Sequence, residues 1–136
     1  MEEKYMEEAL KQAEIAFAND DVPVGAIIVK DNEIIARAYN KKEETKDATD
    51  HAEIIAIKEA CKHLDDWRLN GCIMYVTLEP CAMCMGAIQQ SRISKVIYGT
   101  KNIKDIGNQV PDITGKVLEN DCAQILKIFF QNQRNL

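Results

Sequence analysis

The stretch Cys72-Ile73-Met74-Tyr75-Val76-Thr77-Leu78-Glu79-Pro80-Cys81-Ala82-Met83-Cys84 reads as a strand that runs straight into a helix. Cys72 to Leu78 is an apolar, β-branched run of strand length. Proline is tolerated in the first turn of a helix, where its missing N–H leaves no bond unmade, so Cys81 to about Gln90 is predicted to be helical. A strand-then-helix unit calls for a further strand, and Ile93 to Tyr98 supplies it, closed by Gly99.

Upstream, residues 2 to 18 place Met6, Ala9, Leu10, Ala13, Ala16 and Phe17 at helical spacing, and Asn19-Asp20-Asp21 ends the pattern. Two apolar runs follow, Ala26-Ile27-Ile28-Val29 and Ile34-Ile35-Ala36, separated by Lys30-Asp31-Asn32-Glu33, which is the pattern of a β-hairpin. A polar stretch from Asn40 to Asp50 leads into a helix over about 51 to 63. Thr100 to Gly115 is rich in turn residues and predicts a loop with at most a short strand near Ile113. The last helix starts around Leu118 to Asn120, buries Ile125, Leu126, Phe129 and Phe130 on one face, and frays from Gln131 to Leu136. This order fits an α/β fold with a single mixed sheet and helices packed on its faces.

A chain of 136 residues fits one domain, 1–136, able to bury roughly two-thirds of its unfolded surface without disulfides. No apolar run approaches the roughly 20 residues of a membrane span. The acidic start Met1-Glu2-Glu3-Lys4 is unlike a leader, so a cytoplasmic protein is expected. Five cysteines then argue for reduced thiols and metal ligation, with Cys61, Cys72 and Cys122 read as small core residues. The net charge of −5 gives no global pull toward nucleic acid. A local patch from Lys41, Lys42, Arg68, Arg92, Lys95, Lys101, Lys104 and Arg134 stays open beside the reading of a solvated mixed-charge surface.

The residues with chemistry are His51, Glu53, Cys81 and Cys84. Cys81 and Cys84 are three apart and share one side of a helix, and His51 starts another. Two thiolates and a neutral imidazole satisfy three positions of a tetrahedral Zn²⁺ and leave the fourth open. A closed structural site would need His63 or a spare cysteine. His63 lies about 18 Å along the helix from His51, and the spare cysteines form no second pair. Glu53 has two readings: a general acid/base beside the open position, or a reciprocal helix cap with Asp50. Asp50 likewise reads as a helix cap or as the anchor of a contact behind His51.

His51-Ala52-Glu53 with Pro80-Cys81-Ala82-Met83-Cys84 is the known signature of zinc deaminases. With Val22-Pro23-Val24-Gly25-Ala26, Asn40, Trp67-Arg68-Leu69, Thr77-Leu78-Glu79 and Ser91-Arg92-Ile93, the chain resembles the cytidine deaminase superfamily. Within it, the chain is most similar to the bacterial tRNA adenosine deaminase family, over about residues 6 to 100. The resemblance implies a three-layer α/β/α sandwich around a mixed five-stranded sheet, one zinc per chain held by His51, Cys81 and Cys84, and a homodimer. It also implies Glu53 as proton shuttle, with Asn40 and the backbone of Ala52 on the base.

After Thr100 the family's longer segment is replaced by the shorter Asn102 to Pro111, expected to form one wall of the substrate pocket. Ala48-Thr49-Asp50 replaces Pro-Thr-Ala, and Met85 stands where a small Ala is common. The leading expectation is a hydrolase converting adenosine to inosine in the tRNA anticodon loop. A deaminase of free guanine, adenine or cytosine, or of a nucleoside, and a non-catalytic zinc-binding subunit are the alternatives.

Overall fold

The computed structural model describes residues 2–102 and 113–134. In chain order the elements are α1 (Glu2–Ala18), β1 (Gly25–Lys30), β2 (Glu33–Tyr39), α2 (Lys42–Thr45), α3 (Ala52–Leu64), β3 (Cys72–Leu78), α4 (Ala82–Gln90), β4 (Lys95–Thr100), β5 (Ile113–Thr114) and α5 (Glu119–Arg134). The five strands form one mixed sheet in the order β2-β1-β3-β4-β5. β1 is antiparallel to β2 and β3, whereas β3, β4 and β5 run parallel. The hairpin turns through Asp31 (φ 50°) and Asn32 (φ 63°), two left-handed residues of the kind a tight hairpin requires.

The layers follow from the period-two alternation of the strands. Ala26 and Ile28 of β1 and Cys72, Met74 and Val76 of β3 point to the side that packs Ala52, Ala56 and Ala60 of α3 and Ile88 of α4. Their neighbours Ile27, Val29 and Tyr75, with Ile97 of β4, point to the other side, against Met6 and Ala9 of α1 and Cys122 of α5. Both faces are apolar because both are covered, so the strands read as unbroken apolar runs. Small residues bring the helices close to the sheet. A Cβ on Gly25 would collide with the Ala9 carbonyl oxygen of α1, so this strand position excludes any side chain. Among the described residues no helix is long and apolar enough to cross a membrane.

Several boundaries differ from expectation. A four-residue helix, α2, interrupts the polar stretch. Pro80 precedes the N-cap Cys81 and does not sit within the first turn. β4 extends through Gly99 to Thr100. α5 continues to Arg134, past the expected fraying point at Gln131. Phe129 and Phe130 separate, with Phe129 7% exposed against Phe17 and Phe130 45% exposed. Cys72 and Cys122 are buried free thiols, as the core reading requires, and Cys61 packs at the edge of the core. Of the expected pocket wall from Asn102 to Pro111, residues 103–111 lie outside the described residues.

Candidate active site

The sequence places both ligand stretches at helix starts, and the fold brings those starts together. His51 is the N-cap of α3 and Cys81 the N-cap of α4, with Cys84 one turn into α4. Neither cap residue spends its side chain on its own helix. The free N–H groups and positive dipole ends of two helices therefore converge beside the sulfurs and favour thiolate. β3 feeds Cys81 from the C-terminal edge of the parallel half of the sheet, where such folds place their clefts.

His51 Nδ1 lies 3.7 Å from Cys81 Sγ and 3.4 Å from Cys84 Sγ. Bond lengths of about 2.3 Å to sulfur and about 2.05 Å to nitrogen, at a tetrahedral angle, put such donors about 3.6 Å apart. The observed separations bracket that value, so the three residues fit one zinc ion. Among the described residues they are the only group of three donors this close. His63, in the last turn of α3, does not join them, which removes the closed-site reading for that histidine.

The electrostatics point the same way. Hydrogen bonds from Cys84 and His51 hold the Cys81 thiol down to about 3, against the penalty of burial. Cys84, sharing its proton with Cys81 in a buried position, is pushed up. His51 is raised chiefly by its hydrogen bond with Cys81. One proton shared between two sulfurs is what a divalent cation displaces on binding.

Glu53 is 4% exposed, and burial raises its carboxyl to about 7. The reciprocal-cap reading does not hold. The Asp50 N–H donates to the Asp47 carbonyl at 3.1 Å, and the helix begins one residue later than that cap would need. Asp50 itself caps nothing on α3; its carboxylate takes the Thr45 hydroxyl at 2.6 Å, because the N-cap place belongs to His51. Asn40 is buried, and its Oδ1 accepts the Ala52 N–H at 2.8 Å. These two expected base contacts are thus partners of one another, which leaves the Asn40 amide NH₂ as its remaining donor.

Asn40, His51, Glu53 and Cys81 line one cavity of about 130 Å³, with Val24 and Leu78 as apolar walls. It is well below the roughly 300–1,000 Å³ of pockets for drug-sized ligands, so it takes one ring system. Asn102, the first residue of the segment expected to wall the pocket, does line it, whereas sequence reasoning did not assign Lys42 and Glu79 to this lining. Glu79 Oε1 accepts the Asn102 N–H at 3.1 Å and ties the end of β4 to the start of α4. Its place beside Pro80-Cys81 was the available signal. Thr77, buried in β3, accepts the Gly25 N–H through Oγ1 at 3.1 Å and closes the sheet beneath the cavity. The apolar groove of about 480 Å³ between α1 and α5 contains none of these groups.

The family model described as MafB19-like deaminase matches residues 1–134. The chain is 53% identical to the tRNA-specific adenosine deaminase of Aquifex aeolicus, over 98% of this chain and 96% of that protein. It is 41% identical to the tRNA-specific adenosine deaminase of Bacillus subtilis (strain 168), over 98% of this chain and 91% of that protein. A solved structure from a study of A-to-I editing by tRNA:A34 deaminases at the wobble position superposes with a TM-score of 0.86 at 40% identity, covering 90% of this chain and 99% of that one. The aligned span with the Bacillus protein is 146 residues, longer than the 136-residue chain, so this chain is the shorter of the two in places.

Proposed function

The chain belongs to the MafB19-like deaminase family, and from that premise we propose that it is a zinc-dependent hydrolytic deaminase converting adenosine to inosine at the wobble position of tRNA. What carries the reading is the donor triad His51, Cys81 and Cys84 beside buried Glu53 at a cavity sized for one base. Near-full-length identity to tRNA-specific adenosine deaminases supports the substrate.

One zinc per chain, held by His51, Cys81 and Cys84, would supply a Lewis acid with an open position and a water acidic enough to attack at neutral pH. Glu53 is the general acid/base of the proposed reaction. Its carboxylate takes one proton from the attacking water and passes it to the ring nitrogen beside C6, then takes the second proton from the oxygen now bonded to C6 and gives it to the leaving amine. Burial raises this carboxyl above the usual carboxylate range, the direction that suits a group that must both take and give a proton near neutral pH. Asn40 orients the base through its amide NH₂, and its Oδ1 fixes the Ala52 N–H and so the start of α3. Adenosine and water give inosine and ammonia, with Glu53 returned to its initial state.

The assembly we propose is a homodimer. The exposed strip of Ala82, Met83 and Gly86 on α4 supports it, since Met83 is a large apolar side chain left 40% exposed there. Sedimentation at micromolar concentration checks the mass.

The substrate is tested by comparing inosine formation in an RNA anticodon stem-loop with ammonia release from a panel of free bases and nucleosides. The stem-loop is expected to react at least a hundredfold more efficiently, and Glu53→Ala to keep its zinc and lose this activity. Activity confined to the panel would overturn the tRNA assignment; zinc without any ammonia release would overturn the enzyme.

A further inference from the structure

The connection between β2 and α3 is held more firmly than its polar composition suggests. The Lys41 N–H donates to the Asp50 carbonyl at 3.0 Å, which closes residues 41–50 into a loop. Inside it, Thr45 Oγ1 sits 2.6 Å from Asp50 Oδ2 and 2.9 Å from the Lys41 carbonyl oxygen. From outside, Asp21 reaches in from the end of α1. This carboxylate is 1% exposed, and its two oxygens accept the N–H groups of Val22 and Glu43, each at 2.9 Å. A buried carboxylate bound only to backbone N–H groups pins the segment in place. The residue so placed is Lys42.

Lys42 lines the base-sized cavity and also a neighbouring groove of about 780 Å³ whose lining includes Asp20, Asp21, Glu43 and Phe130. It is therefore at the neck between the two. Among the described residues it takes part in no ion pair. Among the described residues it is also the only lysine or arginine lining either space. The described lining thus presents the exposed carboxylates of Asp20 and Glu43 and one ammonium, while the Asp21 carboxylate is buried and taken up by backbone N–H groups. A polyanionic strand crossing it is accepted at a single place and repelled on either side.

We propose that Lys42 is the phosphate contact that sets the register of the RNA strand. It takes the phosphodiester adjoining the nucleotide whose base enters the cavity, and so directs sugars and bases, not further phosphates, along the acidic groove. The inference rests on the tRNA reading above and assigns the residue that would hold the strand to the site.

The test measures binding of an RNA anticodon stem-loop to zinc-loaded protein in the non-reacting Glu53→Ala background, as a function of salt. Lys42→Ala is expected to weaken binding about tenfold at 0.1 M salt and to make the slope of log K against log salt shallower by about 0.7, one single-strand contact. Lys42→Arg is expected to keep the slope. Should Lys42→Ala lose zinc, Lys42→Gln, which keeps the aliphatic stem, carries the same expectation. An unchanged slope in a zinc-loaded Lys42 variant overturns the inference while leaving the substrate assignment standing. Wild type that forms no inosine in the stem-loop would overturn the assignment itself.

Discussion

The two helix starts that carry the candidate zinc donors and the two connections that wall the cavity beside them sit within one small space, yet they are held by different forces. α3 and α4 are set by packing: Ala52, Ala56, Ala60 and Ile88 are fully buried against the sheet. The connections are set by single polar contacts, Asp21 to Glu43, Thr45 to Asp50 and Glu79 to Asn102. Packing is shared among many atoms and changes little when one contact is lost, whereas a polar tie is lost whole. The proposed chemistry thus falls to the packed part and the proposed strand contact, Lys42, to the tied part.

The sharpest way to break this contrast is to remove a donor from the packed side. Cys84→Ala is expected to lose stoichiometric zinc and all measurable deamination while keeping the helical circular dichroism of the wild type, because α4 stays docked through Ile88. Zinc retained at one per chain would show that Cys84 is not a ligand.

Asn40 sits where the two regions meet, so Asn40→Ala should act on both. Leaving the buried Ala52 N–H without its acceptor costs about 1–3 kcal/mol of stability by chemical denaturation. The same change should lower kcat/KM by at least an order of magnitude through loss of the base contact. Wild-type stability with lowered kcat/KM would mean that the N–H finds another partner.

The smallest effect is expected on the tied side, at its surface. Thr45→Val removes the exposed hydroxyl from Asp50 and should change stability by less than about 0.5 kcal/mol. It should raise KM for the stem-loop a few-fold with kcat unchanged. A fall in kcat would place the loop in the chemistry and erase the contrast.

Legibility in the sequence follows the same division. β3 running into α4, the hairpin and the amphipathic α1 are all local patterns, and each stands where its periodicity puts it. Asp50 shows the limit. Its spacing to Glu53 is that of a reciprocal cap, but α3 begins one residue later and the carboxylate turns back to Thr45. Phe129 and Phe130 share a helical pattern, and only the approach of Phe17 decides which of them is core. Asp21 gives no signal of its role, since its partner Glu43 N–H is 22 residues away.

By itself, the sequence determined the order of the strands and of every helix but α2, the two buried sheet faces and the candidate donors His51, Cys81 and Cys84 with Glu53, because each depends on residue type and local pattern. The tertiary structure alone decided that two helix N-termini meet within 3.7 Å of one another's donors, that Asn40 is tied to Ala52 and that Lys42 stands at the neck of the cavity. Those facts join residues distant along the chain, and what joins them is the packing of α3 and α4 on one face of the sheet, a free-energy balance that no local window contains.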